Sequence, residues 1–419
     1  MLKFDKQETK GRAGIIALFD AGTFVEMGAY IRRRGDNEPY DAVITGYGSV
    51  QGKLAFAFVQ DSDRKAGALD EIGADKIQKL YEQALCVGAP VIGVFDSAGA
   101  VIYDGASALS AYGRVMKCVS NASGIIPQIA YISGVCSGMA ADIAAMFDVS
   151  VAAEAEANCF TAIVSDDPVC AIRNIIELLP RNNKDVNSID PTDDACRPIA
   201  LANGIDTLVD NACFTPLYQG FGAEVTVALC RMGGETVGLV SLSGKLTAEG
   251  ARKAAHLVSF CDSFSIPVVT LVDSEGVENT DPSDAFFYGK LAKAYITATT
   301  AKVTAIVGKA YGAAFTLMGS HALGADLSLA LEGSVISVLA PETAVAFVMN
   351  DKITKEKSRA DVEKEWRESY ASPLAAAESG DVDDIVREEE LRARIISALY
   401  MLAEKADGTP DRKHGVPTL

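Results

Sequence analysis

Two stretches of this chain, PVIGVFDSAG at 90–99 and PVVTLVDSEG at 267–276, are apolar runs that break on Asp-Ser and then Gly. Such a run reads as a buried strand, and the break as a loop that exposes backbone. A second glycine-bearing break follows each: Gly134-Val-Cys-Ser-Gly138-Met139 after Gln128 to Ile132, and GKAYGAAFTLM from Gly308. The segment from Gly138 opens a helix, so its leading N–H groups, near Gly138 and Met139, lack partners within the helix. If the Asp96-Ser97-Ala98-Gly99 loop lies beside it, one N–H from each loop could hold a carbonyl oxygen that gains charge. Each preorganised donor would stabilise that charge by roughly 3 to 4 kcal/mol. The second copy offers Gly276-Val277 with Gly312-Ala313. Two oxyanion sites suit a reaction in which both partners carry a carbonyl-like oxygen.

Side chains make weaker candidates. Asp96 and Asp273 end equivalent strands, where a carboxylate is expected to cap the following helix. His256, His321 and His414 are dispersed and show neither metal-ligand spacing nor a Ser-His-Asp set. Ser97 and Ser274 lie outside any G-x-S-x-G nucleophile turn. The basic run Arg32-Arg33-Arg34 reads as a solvated loop, with contact to a substrate phosphate as the sharper alternative. The run Asp281 to Tyr288 reads either as a pocket lining or as a surface helix started by Asp281 and Pro282.

The elements that must position these residues are written twice. FDAGTFVEM (19–27) pairs with VDNACFTPL (209–217), and GYGSVQGKLAFAF (46–58) with ALCRMGGETVGLV (228–240). A period this long means domain duplication rather than a solenoid. Strands are expected over 42–50 and 54–60 around a Gln-Gly turn, a helix over 75–86, and a strand over 91–95. The second copy repeats the order with a helix over 251–262 and a strand over 268–272. The expected fold is α/β, with domains at 1–200 and 201–419. Residues 164–200 read as a polar excursion and linker. The stripe Leu391, Ile395, Leu399, Leu402 marks a helix packed across a domain or subunit. Rossmann and P-loop signatures are absent.

Composition narrows the function classes. The 419 residues carry a net charge of −18, which argues against nucleic-acid binding and against anionic membranes. Nine scattered cysteines, with no C-x-x-C, suggest reduced thiols in a cytoplasmic protein and no metal site. No signal-type or membrane-spanning apolar run occurs.

Taken in order, LFDAGTFVEM, VITGYGSVQG, PVIGVFDSAGA, IPQIAYISGVCSGMA, LVSFCDSFSIPVVTLVD, GKAYGAAFTLM, ASPLAAAESGDVDDIV and KHGVPTL resemble the carboxyltransferase subunit of biotin-dependent acyl-CoA carboxylases and decarboxylases. The resemblance covers essentially the whole chain. It implies two tandem crotonase-like domains, each a β-β-α superhelix, with the N-domain of one subunit facing the C-domain of another in a homodimer or hexamer. It further implies an acyl-CoA carboxyltransferase that moves a carboxyl group between a short-chain acyl-CoA and biotin on a separate carrier protein. Ala98, Gly99, Gly138 and Met139 would mark the coenzyme A thioester side, and Gly276, Val277, Gly312 and Ala313 the biotin side. A biotin carboxylase or a membrane decarboxylase subunit would be a further partner, with the protein cytoplasmic or peripheral to such a membrane complex. The family pattern DSGGAR becomes DSAGAV, with Ala98 and Val101; AGG becomes Ser137-Gly138-Met139; YGGA becomes Tyr311-Gly312-Ala313-Ala314. A main-chain donor survives such exchanges if φ stays negative. A scaffold that binds coenzyme A metabolites or a biotin carrier without catalysis is the alternative reading, and a single-domain hydratase would leave the second copy unexplained.

Overall fold

The computed structural model describes residues 8–32, 40–211 and 213–406; Arg33, Arg34, His414 and KHGVPTL lie outside these residues. The chain divides into two compact units, Met1–Asn187 and Ser188–Leu419.

In the first unit the elements are α1 (Lys10–Ala17), β1 (Val25–Met27), β2 (Val43–Val50), β3 (Lys53–Gln60), α2 (Glu71–Val87), β4 (Val91–Ser97), α3 (Ala106–Ala122), β5 (Gln128–Cys136), α4 (Met139–Ala145), β6 (Val149–Ala152), β7 (Ile163–Val164) and α5 (Pro168–Leu178). Its seven strands form one sheet in chain order. The β1–β2–β3 pairings are antiparallel and those from β3 to β7 parallel. The expected Gln-Gly turn is present, with Gln51 and Gly52 both at positive φ. Helix α2 starts on Asp70, whose carboxylate accepts from Gly73 N–H, and stops at Gly88 in the left-handed region. Its Ile77, Leu80, Tyr81 and Ala84 join Phe58, Phe95 and Val91 in the core.

The second unit repeats the scheme with β8 (Phe214–Leu217), β9 (Val225–Met232), β10 (Glu235–Leu246), α6 (Ala248–Ser263), β11 (Val268–Val277), α7 (Asp284–Thr297), β12 (Lys302–Tyr311), α8 (Ala313–Leu317), β13 (Leu327–Leu331), β14 (Val335–Ser337), α9 (Pro341–Val348), α10 (Arg359–Tyr370), α11 (Pro373–Glu378), β15 (Asp384–Val386) and α12 (Glu388–Met401). Strands β8 to β13, extended by β15, make up seven strands of its eight-stranded sheet, and β14, the eighth, pairs with β12. Helix α12 buries Leu391, Ile395 and Leu399 in this unit's own core, against Val303 and Leu329.

The segment 164–200 departs from the linker reading. Pro168–Leu178 is an amphipathic helix that buries Ile172, Ile175, Ile176 and Leu178. The stretch from Ser188 is stitched to the second unit. Ile189 N–H donates to Gly234 O, and the buried Arg392 guanidinium grips Leu208 O, Asp194 O and the Asp210 carboxylate. Asp210 accepts in addition from Gly233 N–H at 3.0 Å and Gly234 N–H at 2.7 Å. These bonds put the division between units at 187/188 rather than at 200/201.

Candidate active site

The two Asp-Ser-x-Gly loops sit on the same irregularity in their sheets. Phe95 pairs with Ile132 and Ser97 with Cys136, so two steps along β4 span four along β5. In the second unit Val272 pairs with Ile306 and Ser274 with Ala310, again two against four. Such a bulge strands backbone groups that the ladder would pair. Asp96 Oδ1 accepts the N–H of Val135 at 3.1 Å, and Asp273 Oδ1 that of Lys309 at 2.8 Å. The aspartates therefore hold the neighbouring strand's bulge and do not cap the next helices. Close approach requires glycine there: a Cβ on Gly134 or Gly308 would lie 2.3 Å from the respective carboxylate oxygen.

Ser97 and Ser274 are buried and turn inward. Ser97 Oγ accepts from Gly99 N–H at 3.1 Å, and Ser274 Oγ from Gly276 N–H at 3.2 Å. Ala98 N–H donates to Ala66 O at 2.9 Å, in a left-handed turn where Lys65, Ala66 and Gly67 have φ of 47°, 50° and 68°. The N–H groups of Ala98, Gly99 and Gly276 thus already have acceptors within the chain. Gly99 and Gly276 contribute their conformation, at φ 112° and 122°.

The donor of the next residue turns the other way. Leu69 N–H donates to Gly99 O and Val101 N–H to Leu69 O, so the N–H of Ala100 between them points away from Leu69. Val277 stands in the same relation to Leu246, whose carbonyl accepts from Glu278 N–H at 2.8 Å. Ala100 was not singled out from the sequence. The signal was there, since aligning Gly99 with Gly276 pairs Ala100 with Val277.

Beyond the bulge, β5 and β12 end on Gly138 and Gly312, with φ/ψ of 57°/−136° and 56°/−136°. Neither helix start has a side-chain cap. Met139 and Ala313 are the first helical residues, so their N–H groups have no intrahelical acceptor. Neither is among the positive-φ residues, so both donors survive the exchange of glycine. The Met139 side chain packs against the first unit's core. A Cβ on Gly99 or Gly138 would meet nothing within 4 Å, which leaves open space beside the first pair of donors.

Beside Gly312 and Ala313 lies a cavity of about 480 Å³, walled by Phe315, Ile336, Val338 and Tyr370, with Thr316, Ser337, Ser379 and Asp381 among its polar groups. Gly312 N–H donates to Ser337 O at 3.0 Å, fixing β14 as one wall. Lys309 bonds Glu275 at 2.7 Å and holds that carboxyl below its usual range.

Other expectations resolve away from the chemistry. Burial pushes the Cys136 thiol up to about 11, which keeps it protonated at neutral pH. His256 Nε2 lies 3.0 Å from Tyr218 Oη, and His321 is in a short 3-10 turn. Asp281 accepts from Ser283 N–H, while Asp284 Oδ2 accepts from the N–H groups of Thr280 and Asp281, so that run shapes the entry to α7. Arg32 is exposed. Among the described residues, no group of three or more His, Cys, Asp or Glu could hold a metal ion, and no helix is long and apolar enough to cross a membrane.

Comparison with known proteins agrees with this architecture. The chain is 32% identical to the carboxyltransferase subunit of propionyl-CoA carboxylase from Haloferax mediterranei, over 98% of this chain and 93% of the relative. It is 33% identical to the alpha subunit of methylmalonyl-CoA decarboxylase from Propionigenium modestum, over 99% and 94%. A crystal structure of transcarboxylase 12S, a hexamer with hydrolysed methylmalonyl-coenzyme A bound, superposes with a TM-score of 0.92 at 28% identity, covering 98% of this chain and 92% of that one. The two units are accordingly tandem crotonase-like domains. A model of the carboxyl transferase domain matches residues 5–165 and 164–417, and the chain belongs to that family.

Proposed function

We propose that this protein is a biotin-dependent carboxyltransferase that moves a carboxyl group between a short-chain acyl-CoA and biotin borne on a separate carrier protein. The observation that carries the reading is the duplicated arrangement of donors, Ala100 with Met139 in one unit and Val277 with Ala313 in the other, at or just past the ends of the paired strands β4 and β5, and β11 and β12. The first unit takes the acyl thioester. When the carboxyl group leaves the α-carbon, charge grows on the thioester oxygen, and the N–H groups of Ala100 and Met139 are fixed to receive it. Because both are main-chain donors on a pinned bulge, no reorganisation is needed at that moment.

The second unit takes biotin. Its cavity fits the group: an apolar wall for the ring system, the N–H of Ala313 for the ureido oxygen, and the acceptors Ser337 and Thr316 for ureido N–H. Biotin supplies the nitrogen that accepts the carboxyl group. The proton lost from that nitrogen balances the one gained by the α-carbon, so no side-chain acid or base is required.

Exposed apolar side chains at both mouths support a homo-oligomer. Ile102 and Tyr103, just after Ala100, are 89% and 100% exposed, and Val338, beside Gly312, is 82% exposed. A biotin carrier, and a biotin carboxylase or a membrane decarboxylase subunit, would complete the working complex. A non-catalytic scaffold is disfavoured because the substituted positions keep their donors.

The test is incubation of the purified protein with malonyl-CoA or methylmalonyl-CoA and free biotin, following loss of the malonyl-type thioester by chromatography. Biotin-stimulated decarboxylation supports the reading. A folded protein that binds these thioesters yet leaves every one intact refutes it.

A further inference from the structure

The internal duplication exposes a place where the two units differ in occupancy. Helix α2 and helix α6 correspond residue for residue: Asp70 and Thr247 are the N-caps, Gly73 and Gly250 receive them, and Lys76 matches Lys253. Both lysines are buried and spent on main-chain carbonyls, Lys76 on Val43 O and Lys253 on Tyr218 O and Phe221 O. The strands match too, with Met27 against Thr45 and Leu217 against Val227. Alignment of FDAGTFVEM with VDNACFTPL then pairs Gly28 with Tyr218 and Ile31 with Phe221, and the helices pair Lys79 with His256.

Gly28 and Tyr218 share the left-handed backbone, at φ 63° and 53°. For tyrosine that conformation is strained. Its ring is held by the Phe221 ring at 6.0 Å, by an edge contact with His256 at 5.4 Å and by the 3.0 Å bond between its hydroxyl and His256 Nε2. The first unit has no side chain at this point. A Cβ on Gly28 would aim at Ile31 Cδ1, 3.0 Å away, and Lys76 Cε, 3.6 Å away. What stands there is a cavity of about 270 Å³ walled by Met27, Ile31, Thr45 and Tyr47 and rimmed by Lys79 and Gln83.

We propose that this cavity binds a small aromatic acid, a phenol-sized ring whose acidic oxygen reaches the Lys79 ammonium, in the place that the second unit fills with its own Tyr218. The ring follows from the wall: a thioether, a branched aliphatic chain and the Tyr47 side chain all favour an aromatic guest. The acid follows from Lys79. His256 can accept a proton from a neutral phenol, whereas an ammonium only donates and is best answered by an anionic oxygen. The lining residues belong to α2, β1, β2 and the segment after β1, none of which carries the donors of the transfer site, so the inference does not depend on the carboxyltransferase reading.

Titration of the full chain with 4-hydroxybenzoate, followed by ligand-observed NMR and calorimetry, tests this. One equivalent per chain should bind, and p-cresol, the same ring without the carboxylate, should bind about tenfold more weakly. Gly28→Tyr, combined with Lys79→His to recreate the partner of Tyr218, should abolish binding while leaving carboxyl transfer unchanged. Lys79→Ala alone should weaken 4-hydroxybenzoate to the level of p-cresol, which keeps the test open if the double variant does not fold. Failure of wild type to bind 4-hydroxybenzoate, equal affinity for p-cresol, or undiminished binding in the filled variant would each overturn the proposal.

Discussion

At the scale of single residues the proposed chemistry rests on main-chain donors, and the side chains of the duplicated motif serve to place them. Asp96 Oδ1 and Ser97 Oγ each accept a backbone N–H, as do Asp273 Oδ1 and Ser274 Oγ. The glycines that precede the donors are therefore the sensitive positions. Gly138 and Gly312 combine φ near 57° with ψ near −136°, a region in which an added Cβ costs about 1 to 3 kcal/mol. Gly138→Ala is expected to tilt the Met139 N–H and lower carboxyl transfer by about a hundredfold. Gly312→Ala should lower it to a similar extent, yet leave acyl-CoA affinity, read by calorimetry, at the wild-type value. Equal loss of thioester binding in both variants would contradict the assignment of one unit to each substrate. Gly138-Met139 and Gly312-Ala313 were legible in the sequence because a glycine break after a strand announces a helix start. The choice of Ala100 over Ala98 and Gly99, and of Val277 over Gly276, needed the structure, because it depends on which N–H groups the serines and Ala66 already occupy.

At the scale of elements, the bulge shared by β5 and β12 is what the Asp-Ser-x-Gly signature encodes. Gly134→Ala would set a Cβ 2.3 Å from the Asp96 carboxylate, so the carboxylate or the bulge it holds must shift. The expected cost is about 1 to 3 kcal/mol, seen as a lower urea midpoint at unchanged slope. The start of β5 adds a pH dependence. Asp148 accepts from Gln128 N–H at 2.8 Å, yet burial pushes its carboxyl up to about 7. Its counterpart Asp326, which accepts from Lys302 N–H, has the Lys405 ammonium at 2.9 Å. A carboxyl raised in the folded state favours folding below its ordinary value of 3.8, and that contribution is lost as pH rises through about 7. Asp148→Asn, which keeps an acceptor for Gln128, should flatten stability between those two pH values; an unchanged profile in denaturant titrations would refute the assignment. Strands and helices around the motifs were legible because their apolar runs end on Gly or Pro. Helix α5 was hidden because polar residues on its outer face and in the stretch after it outweighed four buried aliphatic positions. The attachment of 188–211 to the second unit rests on Arg392, about two hundred positions away, which no local pattern announces.

At the scale of the whole molecule, duplication followed by division of labour accounts for both the likeness and the inequality of the two copies. The donor geometry at Gly138 and Gly312 agrees to within a degree, while the surroundings have diverged: Glu275 paired with Lys309 on one side, Ala98 on the other, and Tyr218 against Gly28. If each unit holds one oxyanion site, as proposed, a turnover needs one of each kind brought together. The apolar side chains exposed at both mouths are the surface by which copies would associate. If a working site combines the first unit of one copy with the second unit of another, then Gly138→Ala and Gly312→Ala chains, each nearly inactive, should rescue one another. In a mixed pair one site receives both defects and the other receives neither. Random pairing makes about half of the dimers mixed and half of their sites intact, so co-expression should restore about a quarter of wild-type activity. A site built within a single chain would show no rescue, since every copy would carry a damaged unit. Charge at the mouths supplies the matching control. Ile102→Asp with Tyr103→Asp should lower the mass measured by light scattering and abolish rescue. Because Ala100 and Met139 lie in one unit, acyl-CoA binding should persist in the dissociated chain.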